Sequence, residues 1–83
     1  MSYDVLIERN AIREIKKFPA NDIKRIKDAL KKLPDFPEGM DVKKLAGTRN
    51  IYRARVGDYR ILIELDIHTL KVFSVLHRKK AYK

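Results

Sequence analysis

Residues 51–60 have the sequence IYRARVGDYR, and this stretch decides the fold. It predicts two β-strands joined by a tight turn, because Gly57-Asp58 is a favoured two-residue hairpin loop. With that turn, Arg55 lies directly opposite Arg60. Residues that oppose each other, and alternate residues along one strand, share a face of the sheet. The pattern therefore predicts that Arg53, Arg55 and Arg60 project together from one face, the arginine face.

The opposite face of the predicted hairpin is apolar and can be buried. Its members are Tyr52, Ala54, Val56, Tyr59, Ile61 and Ile63. On the arginine face, like charges placed opposite one another cost about 0.2–1 kcal/mol of stability. Because arginine forks bind phosphate in a bidentate manner, we predict that a phosphate group occupies this face. A basic face that only contacts water is the simpler alternative.

Length and composition indicate one small domain spanning residues 1–83. A chain of 83 residues buries only about 60% of its unfolded surface, so its core is thin. The chain has no cysteine, which excludes disulfides and thiolate metal sites. No apolar run approaches the ~20 residues of a membrane span, and the N-terminus does not resemble a signal peptide. We therefore expect a cytoplasmic protein without a membrane association.

The positive charge is concentrated in the second half of the chain. Residues 1–41 carry nine Lys/Arg and eight Asp/Glu, whereas residues 42–83 carry eleven Lys/Arg and three Asp/Glu. Basic small proteins are common, but here the arginines of the second half lie within predicted strands. This asymmetry predicts a polyanionic partner.

Two amphipathic helices are predicted before the hairpin. Asn10 can cap the first helix, which reaches roughly to residue 17, and Pro19 ends it or opens the next one. Asn21 is a second possible cap. Over residues 22–33, apolar side chains recur at three- and four-residue steps: Ile23, Ile26, Leu30 and Leu33.

The remaining segments alternate in the manner of strands. The stretch Val42–Leu45 is short and ambiguous. The predicted order is therefore β-α-α-β-β-β, an α+β fold in which two helices cover the apolar face of a small, mainly antiparallel sheet. The predicted strands are Tyr3–Ile7, 50–56, 59–66 and 70–76.

The register of the last strand decides which of its residues reach the arginine face. Pairing of Leu65 with Leu70 would add three residues to that face: Phe73, Val75 and His77. A slip of one residue would place Arg78 there instead. Glu64 is predicted to pair with Lys71 across the same strands.

The chain ends in the basic segment HRKKAYK, residues 77–83. Tyr82 among these charges suits stacking on a nucleic-acid base, and Lys79 and Lys80 suit salt-sensitive binding of RNA. His77 can titrate near neutral pH. The sequence contains no glycine-rich phosphate loop, metal-ligand cluster or nucleophile elbow. An enzyme of this composition would act on a phosphodiester without a metal or cofactor.

The whole arrangement resembles the RelE/ParE superfamily of toxins, and specifically its RelE branch. The resemblance rests on the order of elements and on three segments: KKLAG, YRARVGDYRILIEL and VFSVLHRKKAY. It implies a toxin that binds in the ribosomal A site and cleaves messenger RNA there. It also implies that a RelB-like antitoxin neutralises this toxin. The ParE branch shares the fold but inhibits DNA gyrase.

The resemblance also implies roles for individual residues. Arg60 falls where the family has an arginine that binds the reacting phosphate, and Arg78 where an arginine stabilises or protonates the leaving group. Tyr82 falls on a tyrosine that stacks on the substrate. Arg53 and Arg55 fall where the best-studied type has lysines, one of them a proposed general base.

Arginine at these positions leaves the proton acceptor open, because a guanidinium with a pKa above ~12 keeps its proton. Either the site works mainly by electrostatic stabilisation, or another group accepts the proton. His77 is the first candidate and Glu64 the second. Two further functions stay open: a gyrase inhibitor of the ParE kind, and an RNA- or ribosome-binding protein without catalysis.

Overall fold

Two helices lie on one face of a five-stranded sheet in the computed structural model, which describes residues 2–78. The elements are β1 (Asp4–Ile7), α1 (Arg9–Ile15), α2 (Ala20–Leu30), β2 (Asp41–Lys44), β3 (Ile51–Val56), β4 (Tyr59–Leu65) and β5 (Thr69–His77). The strands lie in the order β1-β5-β4-β3-β2, and only the β1–β5 pair is parallel. The predicted α+β class is confirmed. The ambiguous segment around Val42 forms an additional edge strand, so the predicted element order lacked one strand.

The predicted hairpin is confirmed in its register. Arg55 pairs with Arg60, and Arg53 pairs with Leu62. Gly57 has a φ of 57°, and no residue other than glycine has a positive φ within residues 2–78. This combination is that of a type II′ turn, whose twist matches that of the flanking strands.

Both predicted helix caps are wrong. Glu8 is the N-cap of α1, and Asn10 lies within its first turn, where its side-chain nitrogen donates to the Phe73 carbonyl at 3.1 Å. Pro19 is the N-cap of α2 and therefore opens the second helix, while Asn21 lies inside it. The helix ends at Leu30, before a 3₁₀ turn that spans Leu33–Asp35.

The core lies between the helices and the apolar face of the sheet, as the alternation predicts. Burial of a single large apolar side chain contributes about 1.5–3 kcal/mol, so a small number of such residues stabilises this domain. The largest side chains that are fully buried are Ile26, Leu33, Ile61, Ile63, Leu70, Val72 and Val75.

A β-bulge in β5 changes which residues face the helices. Ile63 pairs with Val72, but the preceding Leu62 pairs with Ser74, so Phe73 is the extra residue. Beyond the bulge the alternation is reversed. The two registers considered for this strand therefore both occur, one on each side of the bulge.

Two predicted positions change as a result. Leu65 does pair with Leu70, yet Val75 is fully buried beneath the helices and His77 pairs with Tyr59 of the apolar face. The placement of Val75 and His77 on the arginine face is therefore wrong. Arg78, one residue after His77, lies on the arginine face instead.

Glu14 of α1 satisfies the backbone where the bulge interrupts the sheet. Its Oε1 accepts hydrogen bonds from the Val75 N–H and the Ser74 hydroxyl, each at 2.9 Å. The partner strand β1 ends at Ile7, opposite Val72, so the edge of β5 is open beyond that point. Helix α1 covers this edge, which matters because an unpaired strand edge invites pairing with another chain.

Within residues 2–78, no helix combines the length and apolar character that crossing a membrane requires.

Candidate functional site

A cavity of about 280 Å³ opens at the end of the sheet where β3 turns into β4. This arginine cavity gathers guanidinium groups from β3, from β4 and from the residue that follows β5. Its lining residues are Arg55, Gly57, Asp58, Tyr59, Arg60 and Arg78. Such an arrangement of forked donors suits an anion with several oxygen atoms, such as a phosphate.

The strand pairing holds the three arginines in place. Arg55 and Arg60 face each other across the β3–β4 ladder. Arg78 follows β5, and its backbone N–H donates to the Asp58 carbonyl at 2.7 Å, which binds the end of β5 to the hairpin turn. The sequence alone left the position of Arg78 open, and the bulge settles it.

Two of the arginines form ion pairs that water reaches. Arg55 Nη2 and Nε each lie 3.1 Å from Asp41 Oδ2, and these side chains are 54% and 57% exposed. Arg78 Nη1 lies 3.7 Å from Asp58 Oδ1, with both side chains more than half exposed. Ion pairs of this kind contribute only about 0–1 kcal/mol. A phosphate can therefore replace either carboxylate as the partner of its arginine.

Arg60 differs from its neighbours because it is only 9% exposed. The side chain lies within the sheet face, between Arg55 on β3 and Leu76 on β5. A buried guanidinium loses less side-chain freedom when it binds a ligand than an exposed one does. Arg60 is therefore the most preorganised of the three donors.

Arg53 lies on the arginine face but outside the arginine cavity. It pairs with Lys43 on one side and Leu62 on the other, two residues along β3 from Arg55. Its Nε is buried and has no hydrogen-bond partner within residues 2–78. A buried donor without a partner costs about 1–3 kcal/mol of stability.

Tyr59 forms the wall between the arginine cavity and the helices. Its hydroxyl donates to Asp22 Oδ2 at 2.7 Å, and its ring lies 4.5 Å from that of Phe18, between centroids. The hydrogen bond to Asp22, together with burial, raises the pKa of Tyr59 to about 12. The phenol therefore keeps its proton and does not act as a base at neutral pH.

The two predicted proton acceptors lie away from the arginine cavity. The His77 ring meets the Tyr59 ring edge-on, with 5.2 Å between centroids, on the helix side of the sheet. Glu64 Oε1 lies 3.5 Å from Lys71 Nζ, which confirms the predicted pair. Glu64 is four residues along β4 from Arg60, about 13 Å at the rise of an extended strand.

Sequence reasoning missed two residues at this end of the sheet. Asp58 was considered only as a turn residue, yet it lines the arginine cavity. Arg25 of α2 reaches the same turn from the helix side, since a Cβ placed on Gly57 would lie 3.1 Å from its Nη1. No pattern in the sequence could have indicated Arg25, because its position depends on how α2 lies against the hairpin.

The predicted roles of Lys79, Lys80 and Tyr82 concern residues outside the described range 2–78. These roles stay predictions.

Comparison with known proteins gives the family. Residues 5–82 match the family model described as the ParE toxin of type II toxin-antitoxin systems, parDE. The chain is 37% identical over 82 residues to Toxin RelE3 of Methanocaldococcus jannaschii, covering 94% of this chain and 93% of the relative.

Two solved structures agree in fold and sequence. The RelB-RelE antitoxin-toxin complex from Methanococcus jannaschii superposes with a TM-score of 0.82 at 35% identity, covering 93% of this chain and 94% of that chain. The archaeal RelE-RelB complex from Pyrococcus horikoshii OT3 gives a TM-score of 0.71 at 31% identity, covering 98% and 100%.

The family match and the shared fold define a class: the chain belongs to the RelE/ParE superfamily of toxins from toxin-antitoxin systems. Within that class it is a RelE-type toxin, as the similarity to the RelE proteins indicates. The resemblance predicted from the sequence is confirmed.

Proposed function

We propose that this toxin is an endoribonuclease that cleaves messenger RNA in the ribosomal A site and thereby inhibits translation in the cytoplasm. The observation that carries the proposal is the convergence of Arg55, Arg60 and Arg78 on one open cavity. Preorganised cations aimed at developing charge are the main source of catalysis in phosphoryl chemistry.

The proposed reaction is attack by an RNA 2′-oxygen on the adjacent phosphorus. The new bond joins the 2′-oxygen to phosphorus, and the bond from phosphorus to the 5′-oxygen breaks. The products are a 2′,3′-cyclic phosphate and a 5′-hydroxyl. Arg60 holds the phosphate, with Arg55 beside it and Arg53 further along the strand, while Arg78 stabilises the departing oxygen. Tyr82 is proposed to stack on a base.

We propose that the reaction is independent of metal ions. The reason is that three guanidinium groups supply the charge that a bound cation would supply in a metal-dependent nuclease. Cleavage by the toxin on purified ribosomes is expected to persist when a chelator removes the free transition metals, at Mg²⁺ levels that keep the ribosome intact.

We also propose a RelB-like antitoxin as the partner that neutralises the toxin. The RelE proteins in the two solved complexes are bound to RelB. In this chain, the excess of positive charge in residues 42–83 favours an acidic segment that covers the arginine face. Expression of the toxin without that partner is expected to arrest growth.

The decisive variant is Arg60→Ala. Mapping of messenger RNA 5′ ends on translating ribosomes is expected to show a loss of cleavage of about 100-fold or more. Binding to ribosomes, measured by cosedimentation, is expected to fall much less, because Arg55 and Arg78 remain. Equal losses in cleavage and binding would show that Arg60 serves binding only.

Inhibition of DNA gyrase is the second candidate function, and the match to the ParE family model favours it. A gyrase inhibitor blocks supercoiling in a purified assay and leaves no new RNA ends. A ribosome-binding protein without catalysis does neither, yet cosediments with ribosomes. The same three assays therefore separate all of these functions.

A further inference from the structure

We infer that Asp58 accepts the proton from the attacking 2′-hydroxyl. This inference rests on the proposed ribonuclease function and deepens it, because it names the proton acceptor that the arginine substitutions leave open. It follows from which groups line the arginine cavity and which of them can take up a proton.

The reaction requires a group that removes the 2′-hydroxyl proton as the 2′-oxygen attacks. General-base catalysis of this kind contributes about 10²–10⁴-fold. Arg53 and Arg55 cannot serve, because a guanidinium stays protonated. The base must also lie within hydrogen-bond reach of the ribose next to the bound phosphate.

The other titratable groups near the turn are excluded by their positions or contacts. The hydroxyl of Tyr59 is held protonated by its hydrogen bond to Asp22. The ring of His77 lies on the helix side of the sheet, against Tyr59. Glu64 is paired with Lys71 further along the sheet, and Asp41 is held by Arg55 at 3.1 Å, outside the lining of the arginine cavity.

Among residues 2–78, Asp58 is the one carboxylate that lines the arginine cavity. Its side chain is 64% exposed, and its Oδ1 lies 3.7 Å from Arg78 Nη1. That distance is longer than a charge-assisted hydrogen bond, so the carboxylate can turn towards a ribose without breaking a tight contact. Asp58 and the phosphate-binding arginines thus surround the same space.

The charged groups around Asp58 come from every neighbouring element. Arg55 and Arg60 lie on the paired strands of the hairpin, and Arg78 follows β5. Arg25 approaches the adjacent Gly57 from α2, and the Tyr59 hydroxyl is turned away towards Asp22. Two further carboxylates lie next to this group: Asp41 is paired with Arg55, and Asp22 accepts the hydrogen bond from the Tyr59 hydroxyl.

The step balances without a further reactant. The Asp58 carboxylate takes the proton of the 2′-hydroxyl while the 2′-oxygen forms its bond to phosphorus. The 5′-oxygen departs with the electron pair of the broken bond, is stabilised by Arg78, and takes a proton from water. Asp58 then returns its proton to solvent.

The test separates substrate binding from cleavage in Asp58→Asn. Binding is measured on ribosomes that carry a messenger RNA with a 2′-deoxynucleotide at the cleavage position, which the toxin cannot cleave. Loss of the carboxylate removes a negative charge beside the phosphate, so binding is expected to stay equal or become tighter. Cleavage of the all-ribose message is expected to fall about 100-fold or more.

Asp58→Glu is the conservative variant, and it is expected to restore part of the cleavage. Its cleavage rate should again decline at acidic pH, whereas the residual rate of Asp58→Asn should not. Asp28→Asn, which removes an exposed carboxylate from α2, is the matched charge control and is expected to cleave like the parent. Glu64→Gln tests the rival base directly. Urea midpoints establish that each variant is folded.

Three results would overturn the inference: parental cleavage by Asp58→Asn, equal losses of binding and cleavage, or a pH profile that the substitution leaves unchanged. The proposed function fails separately. If Arg60→Ala cleaves like the parent, the arginine cavity is not the nuclease site. If Arg60→Ala is inactive and Asp58→Asn is not, the nuclease stands and only the role of Asp58 is lost.

Discussion

Arg55 and Arg60 lie directly opposite each other on neighbouring strands, yet the side chain of Arg55 is 54% exposed and Arg60 is 9% exposed. The two residues are chemically identical and occupy the same face. Arg60 is held within the sheet surface, whereas Arg55 pairs with Asp41 near the rim. The site thus combines one preorganised donor with one donor that can exchange its partner.

Replacement of Arg55 by glutamine is expected to change the free energy of unfolding by less than about 0.5 kcal/mol. Loss of the exposed ion pair with Asp41 lowers the free energy of unfolding, and relief of the repulsion by Arg60 raises it. Both contributions are small, so they nearly cancel. The affinity for RNA is expected to fall, and the slope of log K against log salt to decrease by about 0.7. Urea unfolding and salt titrations of RNA binding measure the two quantities.

Arg13→Gln on α1 is the control for the Arg55 variant. An equal effect of Arg13→Gln on the salt slope would contradict a specific contact at Arg55.

Asp41→Asn is expected to strengthen RNA binding. The substitution frees Arg55 from its carboxylate partner and removes a negative charge from the rim of the arginine cavity. An exposed ion pair of about 1 kcal/mol corresponds to a gain of about fivefold in affinity. Fluorescence anisotropy with a short single-stranded RNA measures the change, with Asp35→Asn as the control for net charge. Weaker binding by Asp41→Asn would mean that Asp41 positions Arg55 for the ligand.

Tyr59→Phe is expected to alter the dependence of stability on alkaline pH. The folded protein holds the phenolic proton up to a pKa of about 12, whereas the unfolded chain releases it near the ordinary tyrosine pKa of 10.0. The stabilisation is therefore complete below pH 10 and is lost as the pH rises towards 12. At neutral pH, loss of the hydrogen bond to Asp22 is expected to cost about 1–3 kcal/mol.

Urea unfolding at about pH 8 and about pH 11 checks this expectation, because the stability difference between parent and Tyr59→Phe should narrow at the higher pH. A difference that stays constant with pH would show that the Tyr59 pKa is close to its ordinary value in the folded state.

Glu14→Ala is expected to destabilise the bulged edge of β5 by about 1–3 kcal/mol, because it leaves the Val75 N–H without its acceptor. Ser74→Ala removes only the second donor to the same oxygen and is expected to cost less. Hydrogen exchange of the Val75 amide locates the effect, since its protection should fall in Glu14→Ala and persist in Ser74→Ala. Unchanged protection of the Val75 amide in both variants would show that the Glu14 carboxylate does not protect this edge.

Arg25→Ala is expected to lower RNA affinity, because the guanidinium lies against the hairpin turn that borders the arginine cavity. Lys27→Ala is the matched control: it removes one positive charge from the same helix, at the groove between α1 and α2. The loss for Arg25→Ala should exceed that for Lys27→Ala and should shrink at high salt. Identical losses would indicate a general effect of net charge.

Residues 51–65 determined most of the arginine face by themselves. A two-residue turn sets the register of a hairpin, and the twofold period of a strand then assigns every side chain to a face. For this reason the opposition of Arg55 to Arg60 and the burial of Ile61 could both be predicted. The pairing of Glu64 with Lys71 is also confirmed, but it depended on the register assumed for the next turn. The amphipathic pattern likewise indicated the two helices and the face that they cover.

The tertiary structure alone decided how the arginine cavity is completed. The bulge at Phe73 reverses the alternation of β5, so it turns His77 towards the helices and brings Arg78 to the arginines. Period-two reasoning cannot detect an inserted residue, because the bulge is stabilised by contacts remote in sequence, such as that of Glu14 with Val75. The approach of Arg25 to the turn has the same origin: it depends on how a helix packs across the sheet, which no local pattern encodes.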